Sequence, residues 1–161
     1  LDYLRSLREN ETPQAIDIDA LLGTVADDAR VPGHDVVVTG DGVGVPFTGR
    51  LTALRRALQN LVDNAVKYGH RARLRGEDDG ITLRLFVEDD GPGIPAEHID
   101  RVTDPYYRID ASRNPATGGI GLGLSIVSDV ARLHRGNLEL RNRPEGGLSA
   151  CLALPRNMPS N

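Results

Sequence analysis

Leu58-Gln-Asn-Leu-Val-Asp-Asn-Ala-Val-Lys-Tyr68 is the stretch from which the fold is most directly read. On a helix at ~100° per residue, Leu51, Leu54, Leu58, Leu61, Val62 and Ala65 share one apolar arc, and Asn60, Asn64 and Lys67 form a polar stripe roughly 130° away. The arc predicts a helix over residues 50–68 packed on a core, with Gly69 as its C-cap. The stripe needs a separate reason, because Asn is a mediocre helix former that competes for backbone hydrogen bonds. Two of them one turn apart describe either a solvated face or a face that meets a ligand.

The chain around this helix has 161 residues, enough for one domain with a real core and a piece of a neighbour. With no Trp, one Met and two Phe, that core has to be built from Leu, Val, Ile and Ala. A net charge of −4 with interspersed signs shows no basic stripe of the kind nucleic acid requires, so DNA and RNA are discounted as partners. The single Cys151 lies in the apolar run Leu148-Ser-Ala-Cys-Leu-Ala-Leu154; it reads as a small buried thiol in a reducing compartment. No apolar run approaches the ~18 residues that cross a bilayer, and no signal peptide opens the chain, so no direct membrane contact is expected of it.

Working outward, residues 1–8 carry apolar positions 1, 4 and 7 without a cap, as the end of a longer helix would, and residues 8–14 break it with charge and Pro13. Asp17 or Asp19 caps a helix carrying Leu21, Leu22 and Val25 toward Ala29, stopped by Pro32-Gly33. Residues 36–38 and 43–47 read as short strands around Gly40-Asp-Gly42. After the central helix, residues 72–77 and 81–88 are strands joined by Asp78-Asp-Gly80, with Ile81, Leu83, Leu85 and Val87 alternating toward the core. Residues 96–102 form a short helix, and residues 103–119 lack any apolar period and read as a long functional loop. Helical spacing resumes over residues 121–133 with Leu122, Ile126, Val130 and Leu133, capped by Gly136. Residues 137–142 and 148–154 close the chain as a hairpin across Pro144-Glu-Gly-Gly147. Paired strands separated by helices, without repeated strand-helix-strand units, predict an α+β fold with a mixed, mostly antiparallel sheet covered on one face by helices.

Two further motifs bear on the Asn stripe. Asp89-x-Gly91-x-Gly93 follows a strand, where the sheet fixes the carboxylate and the glycines let backbone approach a flat ligand; alone it is also an ordinary turn. Gly119-Ile-Gly121-Leu-Gly123-Leu124 opens a helix, where free N–H groups and the helix dipole suit phosphate; alone it is also a hinge. Their order, an Asn-rich helix, Asp-x-Gly-x-Gly after a strand, a long loop, then Gly-x-Gly-x-Gly-Leu at a helix start, strongly resembles the catalytic and ATP-binding domain of bacterial sensor histidine kinases. That family belongs to the ATPase superfamily that includes DNA gyrase, the large ATP-driven chaperones and the mismatch-repair ATPases.

The resemblance spans residues 16–155 and implies a Bergerat-type two-layer α/β sandwich, with three main helices on one face and a long ATP lid. It implies residues 1–10 as the end of a preceding dimerisation and phosphoacceptor helix, 11–15 as linker, 16–156 as the catalytic domain and 157–161 as a tail. ATP and Mg²⁺ are the implied cofactors. Asn64 would hold the metal with Asn60 assisting, Lys67 would meet phosphate oxygens, and Tyr68 would border the nucleotide. Asp89 would accept from the adenine amino group, beside Gly91, Gly93 and Ile94. Gly119, Gly121, Leu122, Gly123 and Leu124 would wrap the phosphates, and lid residues Arg108 and Arg113 are each candidates to approach the γ-phosphate.

Hydrolytic members of the superfamily place a Glu one turn before the metal-binding Asn; here that position is Asn60, whose amide cannot take a proton from water near neutral pH. The implied activity is therefore transfer of the γ-phosphoryl group to a His, with ATP hydrolysis and a non-catalytic nucleotide-binding module as the alternatives. None of His34, His70, His98 and His134 stands in the family's phosphoacceptor context, so the implied acceptor is a His on an upstream dimerisation domain, within a homodimer. The further implied partner is a response regulator, and the implied setting is a cytoplasmic domain of an inner-membrane-anchored sensor. Thr103 and Tyr106 stand where Phe is common in the lid, and Ile120 replaces a smaller or hydroxylated residue between glycines. None of these changes removes a metal or adenine contact.

Overall fold

The computed structural model describes residues 11–29, 35–99, 101–102 and 123–156. Five strands form a sheet in the order β2-β4-β5-β7-β6, comprising β2 (Asp35–Val38), β4 (Arg71–Asp78), β5 (Thr82–Glu88), β6 (Asn137–Asn142) and β7 (Leu148–Pro155). Only β2 pairs with β4 in parallel; β4 with β5, β5 with β7 and β6 with β7 are antiparallel. The mixed, mostly antiparallel sheet expected from the sequence is therefore present, together with a two-stranded ribbon of β1 (Gln14–Ile16) and β3 (Phe47–Gly49).

One sheet face is apolar because period-two alternation places Leu74, Leu83, Leu85, Val87, Ala150, Leu152 and Leu154 on the same side. Three helices cover it: α1 (Ile18–Asp28), α2 (Leu51–Gly69) and α4 (Gly123–Leu133). Helix α2 buries Leu54, Leu58, Leu61, Val62 and Ala65 of the arc read from the sequence, while Leu51, at its first position, is only partly buried. Each of its fully buried Leu and Val side chains contributes about 1.5–3 kcal/mol by leaving water. In α4 the buried stripe is Val127, Val130 and Ala131, with Ile126 and Leu133 only partly buried against the core. On the opposite sheet face the Arg75 guanidinium lies 3.9 Å from the centre of the Phe86 ring. Cys151 is buried on that face, where burial pushes its thiol up to about 12, so it packs rather than reacts.

Several local expectations are corrected. Residues 43–46 are not a strand: Gly44 and Pro46 interrupt the ladder, the Val43 N–H is held by Asp19 Oδ1 at 2.8 Å, and pairing begins at Phe47. Gln14 and Ala15, expected as linker, pair with Gly49 and Thr48. Asp17 rather than Asp19 caps α1, accepting from the Ala20 N–H at 3.1 Å. Ile81 lies in the turn and is exposed, because Asp79 holds its N–H and that of Thr82. The helix expected over residues 96–102 is the single turn α3 (Ala96–Ile99). The residues that turn left-handed after α2 and α4 are His70 and Arg135, with φ of 62° and 64°, not the glycines beside them. Gly69 and Gly136 serve close approach instead, since a Cβ on Gly136 would overlap the Ala153 carbonyl. Residues 103–122, including Arg108, Arg113, Gly119, Gly121 and Leu122, lie outside the described residues, as do residues 1–10 and the Pro32-Gly33 stop.

The start of α2 is held from a distance. Arg50, its N-cap, offers no side-chain cap. The Glu11 carboxylate accepts from the N–H groups of Thr52 and Ala53 at 2.6 and 3.2 Å, and a negative charge there also complements the helix dipole. The Arg50 N–H donates to His134 Nε2 at 3.0 Å, while His134 Nδ1 lies 2.9 Å from the Val130 carbonyl. That pairing requires a neutral ring with its proton on Nδ1. Burial pushes the His134 pKa down in the same direction.

Candidate functional site

The far end of α2 has the opposite character. Its polar stripe emerges where β5 ends and α4 begins, with Asn60 and Asn64 half-buried and Lys67 and Tyr68 exposed. Among the described residues, the side-chain amides of Asn60 and Asn64 have no hydrogen-bond partner. A Cβ placed on Gly123 would lie 3.8 Å from Asn64 Nδ2, so the first residue of α4 stands directly against the stripe. Leu124 follows it, partly buried against the core.

Asp89, just after β5, is buried with only 7% of its surface exposed. Its Oδ1 accepts from the N–H groups of Gly91 at 2.9 Å and Leu148 at 3.0 Å. Among the described residues Oδ2 accepts no hydrogen bond. Burying a carboxylate with one oxygen doubly satisfied and the other vacant is costly unless a donor arrives from outside. The turn containing it is pressed onto the end of α2. A Cβ on Gly69 would lie 2.7 Å from Asp89 Cβ and 2.9 Å from the Gly91 nitrogen, and one on Gly91 would lie 2.7 Å from the Tyr68 carbonyl. Neither position tolerates a side chain, and together they fix Asp89 beside the last turn of the Asn helix.

Gly93 adopts φ of 75°, a left-handed conformation that favours glycine, and leads to the buried Ile94. The Ile94 backbone is gripped at both groups by one side chain: Asn142 Oδ1 accepts its N–H at 2.8 Å, and Asn142 Nδ2 donates to its carbonyl at 2.7 Å. Beneath the turn, Asp90 receives two hydrogen bonds from Arg73 at 2.8 and 3.1 Å and one from Arg143 at 3.0 Å. The Arg73 guanidinium, aided by Arg143, holds the Asp90 carboxyl down at about 2. Arg143 also donates to the Asp89 carbonyl at 2.8 Å. Asp90 thus anchors the turn, leaving Asp89 as the carboxylate with a vacant oxygen.

The fold brings together Asn64 with Gly123, and Tyr68 with Gly69, Asp89 and Gly91; Ile94 closes the turn. Asn142, Arg143 and Arg73 escaped the sequence reading, since each acts across 17 to 54 residues and carries no motif. Gly69 was noticed, but for a different role. Its position immediately after the Asn helix was the one available signal.

A buried carboxylate with one oxygen open among the described residues, an Asn stripe and a glycine-led helix start lie together on an α+β sandwich, the architecture of a class of ATP-binding domains. Residues 49–158 match the family described as "Histidine kinase-, DNA gyrase B-, and HSP90-like ATPase", and the chain belongs to it. It is similar to the sensor histidine kinase GtrS of Pseudomonas aeruginosa, 40% identical over 147 residues, covering 91% of this chain and 30% of that protein. It is also 37% identical over 138 residues to the sensor histidine kinase CpxA of Escherichia coli K12, covering 84% of this chain and again 30% of the relative. The chain thus spans about a third of these relatives' length. The solved ATP-binding domain of PrrB from Mycobacterium tuberculosis superposes with a TM-score of 0.73 at 28% identity, over 91% of this chain and 98% of that one. Both lines of likeness identify the chain as a catalytic ATP-binding domain of the sensor histidine kinase type.

Proposed function

We propose that this domain positions Mg-ATP for transfer of the γ-phosphoryl group to a His on an upstream dimerisation domain, for relay to a response regulator. The observation that carries the adenine end is the vacant Oδ2 of Asp89, fixed by two backbone N–H groups on Oδ1 and backed by glycines. An adenine amino group is the donor such an acceptor lacks, and guanine carries a carbonyl acceptor in place of that amino group. Asn64, which has no partner among the described residues and faces Gly123, supplies an amide oxygen of the kind magnesium accepts alongside phosphate and water. Asn60 assists from the preceding turn. When bound, the metal would neutralise phosphate charge. In this reading Lys67 meets phosphate oxygens, Tyr68 borders the nucleotide, Gly123 and Leu124 belong with Gly119, Gly121 and Leu122 to the glycine motif assigned to the phosphates, and Arg108 or Arg113 is assigned to the γ-phosphate.

Asn60 also decides the direction of the chemistry. Its amide cannot serve as a base toward water, so the site holds ATP without a group to activate hydrolysis. Positioning and charge stabilisation remain, and these are what phosphoryl transfer to a presented nucleophile demands. Among the described residues no helix is long and apolar enough to cross a membrane.

The test is phosphotransfer from γ-labelled ATP to the dimerisation domain of the same full-length protein, supplied as a separate chain with this one. Acid-labile, magnesium-dependent labelling of a His is expected, with little ATP consumed by this chain alone. Tight ATP binding without labelling by the pair would leave a nucleotide-sensing module instead.

A further inference from the structure

The Asp89–Ile94 turn is held at both ends by the β6–β7 hairpin, more than forty residues downstream. At its start, the Asp89 N–H donates to the Leu148 carbonyl at 3.0 Å and the Leu148 N–H returns to Asp89 Oδ1 at 3.0 Å. At its end, Asn142 grips both backbone groups of Ile94. Between them Arg143 binds the Asp89 carbonyl and Asp90 Oδ1. Pro92 and Pro95 carry no N–H, so the turn has few donors of its own with which to order itself. The side chain of Asn142 does what a partner strand would do for one residue, one acceptor and one donor facing one N–H and one carbonyl.

We propose that Asn142 is a positioning residue for adenine recognition: by clamping Ile94 it fixes the path of the Asp89–Ile94 turn and hence where the vacant Asp89 oxygen points. This rests on the reading of Asp89 as the adenine acceptor. Asn142 is exposed, at the end of the edge strand β6, and buries little apolar surface, so its contribution to global stability is small. Its two bonds are short and both go to one loop residue, so their effect is felt in loop order. A ligand read by that loop pays for disorder when it binds.

The test compares dissociation constants for ATP and ITP, which differ at the base position Asp89 reads, in this chain and three variants. Asn142→Ala is expected to weaken ATP about tenfold, the loss of two ordinary hydrogen bonds' worth of loop order, and ITP much less. The preference for ATP therefore narrows while the melting temperature holds nearly constant. Arg156→Ala is the structural control, because Arg156 ties Asp78 to the carbonyls of Val45 and Pro46 away from the site. It should lower the melting temperature and leave the ATP-to-ITP ratio unchanged. Asp89→Asn reports on the underlying reading. If Asp89→Asn loses ATP but Asn142→Ala keeps the wild-type ratio, the clamp is wrong and the site stands. If Asp89→Asn binds ATP as the wild type does, both fall.

Discussion

The two ends of helix α2 are built on opposite rules. At the Leu51 end the chain is tied down by side chains from elsewhere in the fold: Glu11 takes the N–H groups of Thr52 and Ala53, His134 takes that of Arg50, and the Arg50 side chain donates to the Glu11 carbonyl at 3.1 Å. At the Tyr68 end the Asn60 and Asn64 amides and one oxygen of Asp89 are left without partners among the described residues. Polar groups that are satisfied hold the fold together, and the open ones are where the nucleotide is proposed to bind. One helix joins the two, so its anchored end keeps its open end in place.

Changes at each end should therefore separate stability from binding. The largest effect is expected from Gly69→Ala, since its methyl would overlap Asp89 Cβ and the Gly91 nitrogen. Forcing the turn away from the helix should cost about 1–3 kcal/mol of stability and most ATP affinity together, read by thermal unfolding and titration calorimetry. Next, His134→Ala leaves the Arg50 N–H without its acceptor and empties a buried site. A loss of about 2–3 kcal/mol is expected with ATP affinity unchanged. If His134→Ala weakened ATP as strongly as it weakened the fold, the two ends would not be separable.

The smallest effect is a dependence on pH. Native His134 must stay neutral, because protonated Nε2 cannot accept from Arg50, and burial lowers its pKa in the folded state. The unfolded chain therefore takes up the proton first as pH falls. Stability from this site is complete above the ordinary histidine value of about 6.5 and declines below it. Unfolding midpoints measured between pH 7.5 and 5.5 should fall more steeply for the wild type than for His134→Gln, which cannot titrate.

The helix α2, the β4–β5 and β6–β7 hairpins and the sheet's covered face were legible because periodicity is a local signal. The assignments of Asn64, Asp89 and Gly123 came from their order along the chain, and the structure sets Gly123 against Asn64 and holds one oxygen of Asp89 by two backbone N–H groups. What the sequence concealed is non-local. The three-residue strands β1 and β3 are too short to alternate visibly, Glu11 caps a helix some forty residues ahead of it, and Asn142 reaches Ile94 across 48 residues. Gly69 and Gly136 were misread for a physical reason. Glycine at a helix end signals either a left-handed turn or a close approach, and only the packed structure shows that His70 and Arg135 make the turns.

The central claim is that Asp89 is held for an incoming donor, and Asp89→Asn tests it with the least disturbance. The Asn oxygen can still accept from the N–H groups of Gly91 and Leu148, so the fold survives, but an amide donor replaces the vacant oxygen. Calorimetric titration with Mg-ATP should show about a hundredfold weaker binding, as expected when a charged acceptor is exchanged for a donor facing a donor, with an unchanged unfolding midpoint. Wild-type ATP affinity in a folded Asp89→Asn protein would contradict it.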